Sequence, residues 1–214
     1  MSKINTIPLI NQNIFTSQLL DINNEQIVSD INLYGFPVNA DCEEYGSVSR
    51  GFVQYEDTVV PVTPEFTKLE KLIVQIVDEV TNRKYKIDEI WAIKLMPGQS
   101  VIAHSHYKNH HTYPGDYFSI AYYPYAPLDS ADLIFSAHWC GYMHNTISVK
   151  PQDGLLIIFN SFITHMTARQ MIESPRIVVS MNLGPIEPRV NPNADWGIYM
   201  DRPIIESPVV KKTD

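Results

Sequence analysis

A mainly β fold, closed or sandwiched and flanked by helices, is what this sequence predicts, on three observations. From Ile87 to Asn182 the chain is a succession of short apolar or alternating runs broken by Gly, Pro and Asp, which is the grammar of strands joined by turns. One strongly periodic helix precedes that region. All seven histidines fall within the β-rich half, so the fold brings a chemically distinctive set of side chains into one part of the molecule.

The elements follow in order. Residues Ile4 to Leu20 read as one or two short strands anchored by Ile7, Leu9, Ile14 and Phe15. A helix opens around Asp21 to Ile27 and runs to about Leu33, closed by Gly35-Phe36-Pro37. Asn39 to Pro61 has no sustained period and reads as a long loop carrying at most one strand. Thr63 or Pro64 begins the clearest helix, in which Leu69, Leu72, Ile73, Ile76, Val77 and Val80 recur at the spacing of one buried stripe, ending near Asn82. Strands are expected at Ile90 to Leu95, Ser100 to His106, Tyr117 to Tyr123, Asp132 to Phe135, Thr146 to Val149, Leu155 to Asn160, His165 to Gln170 and Ile177 to Asn182. Residues 1–214 form one domain in this reading: 1–86 as supporting helices and strands, 87–183 as the β core, and 184–214 as an extended, proline-punctuated tail.

Composition narrows the function. Sixteen basic residues against 24 acidic ones give a net charge of −8, the wrong sign for sequence-independent nucleic-acid binding, which needs a basic surface. Cys42 and Cys140 have no Cys-x-x-Cys spacing, so a disulfide framework or zinc ribbon is not indicated, and free thiols fit a reducing cytoplasm. No run approaches the eighteen or so apolar residues of a membrane span, and residues 1–20 lack the continuous apolar stretch of a signal peptide. A soluble, cytoplasmic protein is expected, and a homodimer is one arrangement open to it.

Two stretches carry chemistry. In His104-Ser105-His106 a strand would point both imidazoles to one face about 7 Å apart. Pro97-Gly98 turns the chain into that strand. Pro151-Gln152-Asp153-Gly154 turns it into the apolar run Leu155 to Phe159, after which Asn160 to Thr164 bends back before His165. Three imidazoles could then share one metal ion, though ligand type does not name the metal. Arg176 opens Ile177-Val178-Val179-Ser180, a run apolar enough to be buried, and a buried guanidinium needs an anionic partner. Glu173 and Glu187 are the acids near it in sequence, and a ligand carboxylate would suit it better. His110 and His111 read as loop residues on the substrate side or in solvent, His138 and His144 as rim residues of a hairpin.

In this ordered set the chain resembles the non-haem iron, 2-oxoglutarate-dependent dioxygenases, in particular the short bacterial and phage-type branch related to prolyl hydroxylases. The residues that carry the resemblance are Trp91, Pro97-Gly98 before His104-Ser105-His106, Ser119 to Tyr123, Asp153 to Phe159 leading to His165, and Arg176 leading to Ser180-Met181-Asn182. It implies a double-stranded β-helix (jelly roll) holding Fe(II) through His104 and His165, with 2-oxoglutarate as cosubstrate. Arg176 would take its far carboxylate, helped by Tyr122 and Ser180. It further implies oxidation of a second, unidentified substrate as oxygen converts 2-oxoglutarate to succinate and carbon dioxide. The departure is at position 106, where His stands in place of the family's acid. Three ligand sets stay open: His104, His106 and His165; two histidines completed by water; or Asp116 as third ligand, with His106 favoured because it shares the strand face of His104.

The run from Gly98 to His106 also resembles the first motif of cupins, and Gly154 to His165 loosely resembles the second. A three-His cupin could be a dioxygenase independent of 2-oxoglutarate, an isomerase or a metal-dependent binding module. Against it, His110, His111 and Thr112 occupy the region where cupins carry a Glu, and Arg176 has no cupin role. The third class is a non-enzymatic β-sandwich, in which the histidines are incidental.

Overall fold

The computed structural model describes residues 4–9, 12–33, 49–55, 63–106, 113–139 and 143–189. Two antiparallel sheets form a jelly roll with helices on one side. Strands β1 (Ile4–Leu9), β2 (Gln12–Gln18), β3 (Ser49–Tyr55), β4 (Tyr85–Leu95), β6 (Phe118–Tyr125), β9 (Leu155–Asn160) and β11 (Arg176–Pro185) make a seven-stranded sheet in the order β1-β2-β9-β6-β11-β4-β3. Strands β5 (Val101–His104), β7 (Leu133–Trp139), β8 (Met143–Val149) and β10 (Thr164–Thr167) make a four-stranded sheet in the order β5-β10-β7-β8.

The helices are α1 (Asn24–Leu33) and α2 (Pro64–Thr81). Thr63 caps α2: its hydroxyl accepts a hydrogen bond from the Phe66 amide at 3.3 Å, and Pro64 occupies the first turn, where a missing N–H costs nothing. Asn82 ends the helix in the left-handed conformation, φ 53°. Asn23 caps α1 through the Gln26 amide, and the Asn23 amide donates to Glu65 in the first turn of α2, tying the helix starts together.

Alternation along the strands gives the larger sheet two unlike faces. Ile90, Ala92, Ile120, Leu156, Ile158, Val179 and Met181 point toward the helices and pack with Ile27, Ile31, Phe66, Leu69, Ile73 and Val77. Ala121, Tyr123, Ile157, Phe159 and Val178 point the other way and pack against Leu133 and Phe135 of the smaller sheet. Of the stripe expected on α2, Leu72 and Val80 lie at its margins, only partly buried.

The hydrogen-bonded ladder runs past the expected bounds of the β core. β4 starts at Tyr85 and β11 continues to Pro185, so Gly184 and Pro185 belong to a strand and not to the tail. β1 and β2 extend the major sheet, and the loop expected at Asn39 to Pro61 carries β3. The expectations for residues 34–48, for His110 and His111, and for the tail beyond residue 189 fall outside the described residues. No helix among the described residues is long and apolar enough to cross a membrane.

Because Ile73 is fully buried between α2 and the major sheet, Ile73→Ala is expected to cost about 2–5 kcal/mol through the cavity it leaves. Urea unfolding checks this, and Leu72→Ala should cost clearly less.

Candidate metal centre

Local chain geometry sets the three imidazoles. Gly98, at φ 82°, makes the turn into β5, and its amide donates to the Gln170 carbonyl at 2.7 Å. β5 then runs antiparallel to β10 with His104 directly opposite His165. His106 lies beyond the end of β5, where the shared strand face expected for it no longer applies. It is brought in another way: its amide donates to the Ser161 carbonyl at 2.8 Å, and its ring tilts against Trp91 at 5.2 Å between centroids.

The rings stand 4.4 Å (His104 and His165), 4.9 Å (His104 and His106) and 5.1 Å (His106 and His165) apart. Each offers one nitrogen, and these ligand atoms all lie within 4.8 Å of one another. The Nδ1 of His104 donates to the Ile102 carbonyl at 2.7 Å, and that of His165 to the Ile163 carbonyl at 3.0 Å. A carbonyl accepts only, so both rings carry their proton on Nδ1 and leave the Nε2 lone pair for a ligand role. Burial pushes the His165 pKa down to about 4, with the neighbouring His104 adding to the effect and the Ile163 carbonyl opposing it. The ring is therefore neutral at ordinary pH, as a metal ligand must be. Phe159, edge-on at 4.7 Å, walls its inner side.

Arg176 opens β11 and is 1% exposed. Its Nη1 donates to the Ala131 carbonyl at 2.8 Å, its Nη2 to the Thr167 hydroxyl at 3.3 Å, and its guanidinium carbon lies 5.1 Å from the centre of the Tyr123 ring. Its Nε has no partner. Among the described residues no carboxylate pairs with it: Glu173 and Glu187 do not, and Asp132 acts on it only through space. Burial lowers its pKa, while Tyr123 and Asp132 hold it up. Thr167 and His165 are alternate residues of β10, both buried, so the guanidinium and the distal histidine address the same interior face about 7 Å apart along the strand.

Two of the expected site residues are placed elsewhere. Tyr122 points to the helix face, where its hydroxyl bonds to Asn24 and burial raises its pKa, so it cannot meet a ligand held by Arg176. Its neighbour Tyr123 holds the interior position, because adjacent strand residues face opposite ways. Asp116, in a 3-10 turn (Pro114–Asp116), is buried and held by Arg83 at 2.7 Å and by Arg189, apart from the imidazoles. Burial alone would raise its pKa, but the two guanidiniums outweigh that and lower it. Ser180 lies on the same alternate positions of β11 as Arg176, half-buried and paired with Trp91 and Ala121. His138 and His144 stand opposite each other in the β7–β8 register, their side chains outside the described set. Sequence reasoning did not assign Thr167 and Tyr123 to the guanidinium. The alternation from His165 to Thr167, and from Ala121 to Tyr123, was the signal that could have found them.

No model of a known protein family matches the sequence, and neither does any curated protein. Solved structures do. The non-haem α-ketoglutarate-dependent carbocyclase SnoK from nogalamycin biosynthesis superposes with a TM-score of 0.62 at 11% identity, over 88% of this chain and 86% of its own. A Pseudomonas putida prolyl-4-hydroxylase gives 0.58 at 8% identity, over 83% and 94%. HygX from Streptomyces hygroscopicus, solved with nickel, 2-oxoglutarate and hygromycin B bound, gives 0.55 at 15% identity, over 81% and 83%. The chain therefore has the jelly-roll fold shared by 2-oxoglutarate and iron oxygenases, and it carries a three-histidine cluster within that fold.

Alanine at His104 or His165 is expected to abolish tight binding of one Ni(II) or Fe(II) per chain in calorimetric titration, while Asp116→Asn leaves it in place. Asp116 should instead govern acid stability. With its folded pKa below the ordinary value of 3.8, its contribution is fully present above about pH 4 and is lost as pH falls through the folded pKa. Asp116→Asn should flatten that limb of the stability–pH profile.

Proposed function

We propose that the protein is an Fe(II)- and 2-oxoglutarate-dependent oxygenase that hydroxylates, or otherwise oxidises, a second substrate. The observation that carries this reading is the buried Arg176, whose Nε is unpartnered and which no carboxylate among the described residues neutralises. An orphaned donor in a dry interior costs about 1–3 kcal/mol, a cost that a bound carboxylate would offset. The donor set fits the metal: imidazoles suit iron and its neighbours in the first transition row, and His104 and His165 each turn Nδ1 to a backbone carbonyl and so leave Nε2 for a ligand role.

In this reading His104, His106 and His165 hold the iron, and Arg176 takes the far carboxylate of 2-oxoglutarate. Tyr123 and Thr167 keep the guanidinium in place, and Ser180 lines the same face. The bound iron and cosubstrate together supply oxygen activation, driven by conversion of 2-oxoglutarate to succinate and carbon dioxide. The protein contributes position and dryness. Phe159 and Phe135 wall the distal histidine from water, and the two backbone carbonyls hold the rings in register. A cytoplasmic setting, where Fe(II) and free thiols persist, fits this chemistry.

The three-histidine set also favours a second reading, a cupin-like metalloprotein that acts without 2-oxoglutarate, since among the described residues no acid joins the cluster. One experiment separates the two. Anaerobic Fe(II)-loaded protein should develop a visible absorption band on adding 2-oxoglutarate, and calorimetry should give its affinity. Arg176→Lys keeps the charge but loses the two-pronged geometry, so affinity should fall about tenfold, roughly 1.4 kcal/mol, and Arg176→Ala should weaken it further while iron binding persists. No band, or equal affinity in Arg176→Ala, would leave the cupin-like reading standing.

A further inference from the structure

A row of polar side chains crosses the inner face of the major sheet at the end remote from Arg176. The Ser119 hydroxyl lies 3.0 Å from that of Ser161 and donates to Asn182 Oδ1 at 2.9 Å. The Asn182 amide nitrogen donates in turn to Glu89 Oε2 at 3.0 Å. Ser119 and Ser161 are 2% and 3% exposed, while Asn182 and Glu89 are half-buried, so the row runs from the sealed interior outward. It ends on a group that only accepts. A carboxylate has about four acceptor positions. Among the described residues Glu89 receives one hydrogen bond, from Asn182, and no cation pairs with it.

Register places this row relative to the imidazoles. Along the β4–β11 ladder Arg176 pairs with Leu95, Ser180 with Trp91 and Asn182 with Glu89. Trp91 is the residue under the His106 ring, and Glu89 is the next position on the same face, about 7 Å further on. Ser161, at the inner end of the row, holds the His106 amide through its carbonyl. The order along the interior is therefore Arg176, then the histidine cluster, then Glu89. A diacid spanning Arg176 and the metal would use one side of the cluster and leave the Glu89 side open.

We infer that Glu89 and Asn182 form the subsite for the second substrate, and that they take an organic cation, a protonated amine or guanidinium. Glu89 supplies the charge and Asn182 orients it. A cation with several N–H donors fills the remaining acceptor positions of Glu89, which a neutral apolar substrate would leave desolvated and unpaired. This inference rests on the proposed function for the role of the metal, but its geometry stands on the row alone.

The test uses the full chain loaded anaerobically with Fe(II) and 2-oxoglutarate, titrated calorimetrically with n-butylguanidinium and n-butylammonium beside their neutral counterparts n-butylurea and n-butanol. At least one cation should bind tenfold or more tightly than its neutral counterpart. Glu89→Gln, which keeps shape and removes charge, should erase that preference while iron and 2-oxoglutarate affinities stay within twofold, and Glu89→Asp should restore part of it. Equal binding of cations and neutral counterparts by the parent, or an undiminished preference in Glu89→Gln, overturns the inference. If cations bind in a Glu89-dependent way but 2-oxoglutarate does not bind, the subsite stands and the cosubstrate assignment falls. If 2-oxoglutarate binds and no cation does, the reverse holds.

Discussion

A guanidinium sealed between two sheets constrains everything packed around it. Arg176 belongs to the larger sheet, yet its donors reach Thr167 of the smaller sheet and the Ala131 carbonyl between β6 and β7. Three separate stretches of chain must therefore hold their positions for one charge to remain tolerable out of water. Tyr123 adds its ring face but no formal charge. The interior is thus organised around a cation that the protein satisfies in part.

The two faces of the major sheet explain how such an interior is sustained. On the helix side Ile, Leu, Val and Met interdigitate with α1 and α2, and this face supplies the large apolar burial on which stability depends. On the inner side the same strands carry Arg176, Ser180, Asn182, Ser119 and Glu89 among fewer apolar residues. One sheet thus separates the apolar face that packs the helices from the face that carries the polar side chains, residue by residue, with a period of two.

Much of this was legible in the chain. Short runs between turn residues marked the strands, and Leu155 to Asn160 begins and ends as the sequence suggests, because Gly154 at φ 78° and the bend at Ser161 punctuate it. Parity was harder. β6 is buried on both faces from Phe118 to Pro124, so apolar alternation could not say whether Tyr122 or Tyr123 looks inward. Asp116 stayed open as an alternative to His106 for the third ligand position, and only the fold reveals that Arg83 and Arg189 hold it. His106 stands beside His104 and His165, but not through the strand pleat that the sequence suggested: a backbone bond to Ser161 holds it there. Glu89 carried no sequence signal, since its meaning depends on lying across the ladder from Asn182.

β5 is four residues long and, among the described residues, lies at the border of the smaller sheet, paired on one side. Its neighbour there is β10, and that pairing is interrupted by an irregularity between His165 and Thr167. Border strands detach at far lower free energy than central ones, so His104 can swing away while the helix-side core stays folded. If the three histidines hold an ion, as proposed, its release and capture would proceed through fraying of one strand, on the timescale of local opening, and the lifetime of the loaded protein would be decoupled from its resistance to global unfolding.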